Sequence, residues 1–198
     1  MERPRPRLYA LAWAFYLLLA LAGVAWIGWR GDLGWRVFVD PGRWWRDLAA
    51  GLAAASALLG LWSLARRGLG AARRVEDYMA TVLGDIRRDE VLALAVISSI
   101  GEEIFFRGGV QGSWGWLWAS ALFAVLHTGP GPEFRVWTLF ALVGGATFGG
   151  LTLWSGNLTA AIVAHGVVNG WNLRAISRRR PESGGGDSSG SAGDSTAP

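Results

Sequence analysis

An all-α polytopic membrane bundle, with about six transmembrane helices, one further helix at the membrane surface and a disordered C-terminal tail, is the fold class the sequence predicts. Three observations lead there. Of 198 residues, 52% are apolar, 13 are Trp, and the mean hydropathy is +0.28, beyond the ordinary soluble range. The apolar residues fall in six segments separated by short polar or Gly/Pro breaks. The cationic residues gather at the ends of those segments.

Residues 8–29 form the first apolar run, behind Arg3, Arg5 and Arg7. At ~1.5 Å per residue the run spans about 33 Å, enough for the hydrocarbon core. A secretory signal is the rival reading, with Ala20-Leu21-Ala22 as a cleavage site, but the run continues to Trp26 and Trp29. A retained helix is expected. Residues 31–46 read as a polar loop whose Trp35, Trp44 and Trp45 suit the interfacial belt. The second span is expected over about 47–65. Between Arg66 and Arg88 the chain is strongly basic, yet Val75, Tyr78, Met79, Val82, Leu83 and Ile86 recur at helical spacing. That pattern predicts an amphipathic helix on the membrane surface, with a solvated connecting helix as the alternative.

Four more segments follow, at about 90–107, 114–127, 135–154 and 157–173. Gly108-Gly109 and Gly112 are expected to break the first pair, Gly129-Pro130-Gly131-Pro132 the second, and Ser155-Gly156 the last. Gly144-Gly145 and Gly149-Gly150 would allow close helix approach. The end of the chain, 181–198, has almost no apolar content and is predicted disordered. The division expected is 1–89, two helices and a surface segment; 90–173, the core; and 174–198, a basic end and tail.

All 19 cationic residues are Arg and there is no Cys, so a disulfide framework and a thiolate-bound metal are excluded. A net charge of +4 and a pI of about 10.6 raise nucleic acid as a partner, but the arginines lie at segment ends and no nucleic-acid partner is expected. With six spans, one side carries Arg3, Arg5, Arg7, Arg66, Arg67, Arg73, Arg74, Arg87, Arg88, Arg174, Arg178, Arg179 and Arg180. The other carries Arg30, Arg36, Arg43 and Arg46, partly offset by Asp32, Asp40 and Asp47. Both termini are therefore predicted cytoplasmic.

The chemistry lies in charges that the bilayer disfavours. Glu102, Glu103 and Arg107 sit inside an apolar stretch, where each ionisable group costs roughly 2.5–3.5 kcal/mol. On a helix Glu103 and Arg107 share a face, while Glu102 points about 100° away. Arg107 can neutralise only one of the two, which makes Glu103 the structural carboxylate and leaves Glu102 free for a ligand or water. A single packing network of all three is the plainer alternative. The two histidines of the chain also fall in apolar segments, Phe123 preceding His127 by four residues and His165 preceding Asn169 by four. Interhelical hydrogen bonding would account for either pair alone. Helix rise places Glu102 and His165 about 18 Å, Asn169 about 12 Å and His127 about 10 Å from the cytoplasmic face, in one slab.

Taken together, Glu102-Glu103-x-x-x-Arg107, Phe123-x-x-x-His127 and His165-x-x-x-Asn169, in that order on three hydrophobic segments, resemble the three motifs of the CPBP family of intramembrane proteases. That family includes the CAAX prenyl endopeptidases and many bacterial Abi-type proteins. The likeness covers about 90–173, including Arg107-Gly108 and the run Asn157 to His165, and leaves the N-terminal third unmatched. It implies a glutamate-dependent endopeptidase in a bacterial inner membrane, acting on a membrane-associated protein or peptide. By position, Glu102 and His127 would activate the attacking water and His165 and Asn169 would stabilise the oxyanion, while Glu103, Arg107 and Phe123 would support the site. No cofactor is implied. Two alternatives stay open: two His and a Glu can hold a catalytic zinc, although Arg107 opposes a cation there, and a non-enzymatic immunity, resistance or peptide-binding protein would use the same polar groups as a binding site.

Overall fold

The computed structural model describes residues 5–83 and 87–178, and these form helices and connecting turns without strands. The expected tail at 181–198, together with Ile86, Arg3, Arg179 and Arg180, lies outside the described residues. The helices are α1 (Arg5–Trp29), α2 (Trp35–Phe38), α3 (Trp44–Gly68), α4 (Gly70–Leu83), α5 (Arg88–Glu103), a π-helical segment (Ile104–Gln111), α6 (Gly112–Trp114), α7 (Trp116–Leu126), α8 (Phe134–Ser155) and α9 (Thr159–Ser177).

Three of these helices are long and apolar enough to cross a membrane: α1 from Tyr9, α3 and α8. Their outward faces carry Leu11, Leu18, Leu21, Leu52, Leu64, Leu139 and Leu153, all more than 44% exposed, as lipid rather than water as the solvent requires. The chain is a membrane protein. The expected count of about six spans is not established by length and composition. At 11 residues α7 is only about 16 Å long, short of a ~30 Å core.

The longer helices bury narrow stripes, mostly at three- and four-residue spacing. In α3 this is Asp47, Gly51, Ala55, Leu58 and Trp62; in α9 it is Ala160, Ala161, Ala164, His165 and Val168. Small residues bring the two backbones together, and a Cβ at Gly51 would lie 2.7 Å from the Ala160 carbonyl oxygen. Helix α9 packs on α3, α5 and α8 and forms the centre of the bundle, while α1 packs on α5 and the π-helical segment.

Gly108, Gly109 and Gly112 do not break the helix, contrary to expectation: the chain runs helically from Arg88 to Trp114 and turns only at Gly115, where φ is +85°. These glycines instead make room for α1. A Cβ at Gly108 would fall 2.5 Å from Ile27 Cδ1, and one at Gly112 would collide with the Arg30 guanidinium. Arg30 Nη1 donates to the carbonyls of Gly108 and Gly109 at 3.0 and 3.1 Å, partnering backbone groups in the π-helical stretch. Such π segments recur at functional sites.

Helix α4 turns Ala72, Val75, Glu76 and Ala80 inward against the bundle, with Tyr78 and Val82 outward, a stripe rotated from the one its hydrophobicity suggests. The inward position of Glu76 is explained by its partners. It accepts from Trp62 Nε1 at 2.8 Å and forms an ion pair with Arg66, whose Nε lies 2.9 Å away, latching α4 to α3. At the other end of the bundle, Asn157 donates to the fully buried Asp47 at 2.7 Å and so fixes the start of α9 against α3.

Candidate active site

The last turn of α5 and the π-helical segment supply Glu102, Glu103 and Arg107; the end of α7 supplies Phe123 and His127; α9 supplies His165 and Asn169. The structure brings all seven into one region. Glu103 is fully buried and central: Arg107 Nε donates to its Oε2 at 3.0 Å, and His165 Nδ1 donates to its Oε1 at 2.8 Å. Four-residue spacing on one helix predicts the first partner and not the second, which comes from α9. A carboxylate holding two charge-assisted or polarised donors is tightly oriented, and it fixes the proton of His165 on Nδ1.

Glu102 points the other way. Its Oε2 has no hydrogen-bond partner among the described residues and lies 3.9 Å from His127 Nε2 and 3.8 Å from His165 Nε2. These separations exceed direct hydrogen bonds and suit a shared water or substrate atom. His127 ends α7, with φ near −100° and its Nδ1 donating to the Phe123 carbonyl at 2.7 Å. Because that acceptor is a carbonyl oxygen, the Nδ1 atom carries the proton and the Nε2 lone pair of the neutral ring faces Glu102. Both imidazoles are held flat by aromatic rings: Phe123 stacks on His127 at 4.2 Å and Phe148 on His165 at 4.7 Å. Phe123 also lies under the Arg107 guanidinium at 5.1 Å.

Asn169 is less buried than His165, and its Nδ2 donates to Ser98 Oγ at 3.0 Å. A cavity of about 380 Å³ reaches Glu102, His127 and Asn169, with Ser98 beside them. Part of its wall comes from outside the predicted core: Ala12 and Tyr16 of α1, Trp62 of α3, and Val75, Met79 and Leu83 of α4. Leu173 and Ile176 of α9 also line it. A smaller space of about 30 Å³ borders His127, His165 and Asn169 on the far side. Among the described residues no group of three or more His, Cys, Asp or Glu converges as a metal cage.

Ser98, Tyr16, Phe148 and Glu76 are site neighbours that sequence reasoning missed. Ser98 was available from spacing, four residues before Glu102 on the same face, and Tyr16 from being a phenol inside an apolar span. Phe148 and Glu76 carried no such signal, since only packing shows what they meet.

No curated protein and no solved structure matches the chain. Residues 90–171 match the family described as type II CAAX prenyl endopeptidase Rce1-like, a family of proteases. The matched segment contains every one of the seven residues gathered around Glu103 and Glu102. Over that segment, and so over less than half of its length, the chain is similar to the CAAX prenyl endopeptidases.

Proposed function

We propose that the protein is an intramembrane endopeptidase in which Glu102 and His127 activate water to hydrolyse a peptide bond of a membrane-associated protein or peptide. The observation that carries this reading is the division of labour between adjacent glutamates. Glu103 is saturated by Arg107 and His165, while Glu102 Oε2 faces two imidazole Nε2 atoms at water-bridging distance. A water between Glu102 Oε2 and His127 Nε2 donates one hydrogen to each acceptor, which turns its lone pairs toward a substrate carbonyl. As the water oxygen bonds to the carbonyl carbon, its proton passes to Glu102. The carbonyl oxygen becomes an oxyanion facing His165 and Asn169. The second Nδ2 hydrogen of Asn169, the one not engaged by Ser98, is a donor to the oxyanion, and His165, oriented through Nδ1 by Glu103, is the polar group beside it. Collapse breaks the C–N bond, and the amine leaves with the proton held by Glu102. The ~30 Å³ space beside His127, His165 and Asn169 is large enough for a water-sized group.

The arrangement also supports a topology. The cavity is lined by the C-terminal part of α9, the end of α4 and the N-terminal half of α1, segments that a six-span arrangement puts toward the side of Arg66, Arg73, Arg74, Arg88 and Arg174. With α5 to α6, α7 and α9 as the remaining membrane segments, both termini face the cytoplasm.

The test is Glu102→Gln in the purified chain in detergent, against internally quenched peptides of apolar sequence. Gln keeps volume and hydrogen bonding but removes the base, so cleavage falls by about 10²-fold or more with thermal stability unchanged. Wild-type cleavage should also survive exhaustive chelation; loss that added zinc restores would favour a metal-dependent reaction. A Glu102→Gln rate equal to wild type would turn the cluster into a binding site or packing network.

A further inference from the structure

Tyr16 is an unusual residue for its place in α1. It lies about two turns inside the apolar span Tyr9–Trp29, roughly 10 Å deep, whereas Tyr ordinarily concentrates at the membrane interface. The outer face of the helix is plainly apolar, with Leu11, Phe15, Leu18 and Leu21 at least 56% exposed. The inner stripe is Ala12, Tyr16, Ala20, Gly23 and Ile27, and within it only Tyr16 carries a side-chain polar atom. Close packing fixes its position. A Cβ at Gly101 would lie 2.6 Å from the Tyr16 carbonyl oxygen, and one at Gly23 would lie 2.8 Å from the backbone of Ile104 and Phe105. Tyr16 is therefore held against the residue immediately before Glu102. Its side chain lines the same 380 Å³ cavity as Glu102, His127 and Asn169. Among the described residues the hydroxyl makes no hydrogen bond.

A hydroxyl at membrane depth without a partner is costly, since water is scarce there. A ligand that enters the cavity with a backbone carbonyl supplies the missing acceptor. We infer that the Tyr16 hydroxyl is a hydrogen-bond donor to the backbone of the bound peptide, contributed to the site by α1 from outside the family segment. The proposal rests on the endopeptidase reading. Its chemical content is that the substrate is an extended apolar segment. The segment is seated between α1 and the site helices, its side chains lie against Val75, Met79, Leu83, Leu94 and Leu173, and one main-chain carbonyl is directed at Tyr16. Tyr16 moves no proton; it orients the peptide beside Glu102.

The experiment compares wild type, Tyr16→Phe, Trp13→Phe and Glu102→Gln in the full chain, on the same quenched apolar peptide, with kcat, KM and melting temperature for each. Tyr16→Phe removes one oxygen and keeps the ring, so it leaves the melting temperature within about 2 °C of wild type. Its kcat/KM falls about tenfold to a hundredfold. Trp13→Phe, on the exposed face of α1, changes neither. Tyr16→Phe cleaving within about twofold of wild type, with Glu102→Gln inactive, overturns the role of Tyr16 and leaves the hydrolase reading standing. Wild type and Glu102→Gln behaving alike removes the hydrolase reading and this inference with it. A fall in Tyr16→Phe activity matched by a large drop in melting temperature assigns Tyr16 to packing and overturns the donor role.

Discussion

Arg107→Ala isolates the structural half of the glutamate pair. In the wild type the Glu103 and Arg107 side chains are both fully buried and joined at 3.0 Å, with no solvent to compensate either charge. Truncation to Ala leaves a buried carboxylate with one remaining donor, His165 Nδ1 at 2.8 Å. Breaking a buried pair costs about 3–5 kcal/mol. Two features place this case near the lower end. His165 keeps one oxygen partnered, and the Arg107 Nη1 and Nη2 atoms have no hydrogen-bond partner among the described residues, so removing the guanidinium also relieves an incompletely satisfied cation. About 3 kcal/mol in a chain of this size lowers the melting temperature by about 6–12 °C. The assay is thermal unfolding in detergent of Arg107→Ala, Glu103→Gln and the double variant. If the charges are coupled, the double variant is less destabilised than the sum of the singles by about 1–3 kcal/mol. Arg107→Ala melting within about 2 °C of wild type, or strict additivity, would show that Glu103 does not depend on Arg107 and that the network is assembled by packing alone.

The remaining predictions concern the shape and orientation of the bundle. Gly101→Ala puts a methyl 2.6 Å from the Tyr16 carbonyl, backbone against backbone, so α1 must shift away from α5; stability falls by about 1–3 kcal/mol in thermal unfolding and peptide cleavage drops with it, whereas an unchanged melt would mean that α1 is not tightly seated. A reporter fused after Arg180 is active in its cytoplasmic form only, because positive charge favours the segments at 66–88 and after 173; an externally active fusion would reverse the topology and the depth assignments built on it.

Helical class and membrane residence were legible because they depend on local properties. Apolar runs of sufficient length must form helices in lipid, whatever they pack against. The same locality explains the errors. A glycine reads as a breaker when judged by its own backbone freedom, yet Gly108, Gly109 and Gly112 stay helical where α1 and Arg30 lie against them and Arg30 reaches the carbonyls of Gly108 and Gly109. Likewise α4 was read from its apolar periodicity, and the stripe it buries is rotated because Trp62 and Arg66 hold Glu76 inward.

For the site, charge cost in an apolar stretch and four-residue spacing were enough to single out Glu102, Glu103, Arg107, Phe123, His127, His165 and Asn169, and to pair Glu103 with Arg107. Spacing is a property of one helix and reaches no further. That His165 donates to Glu103, that its other nitrogen and His127 Nε2 flank Glu102, that Ser98 holds Asn169, and that Tyr16 lines the cavity all join residues dozens of positions apart. Those relations depend on how close helices approach and on which face each turns inward, quantities set by the mutual packing of side chains across the bundle and absent from any single segment of the chain.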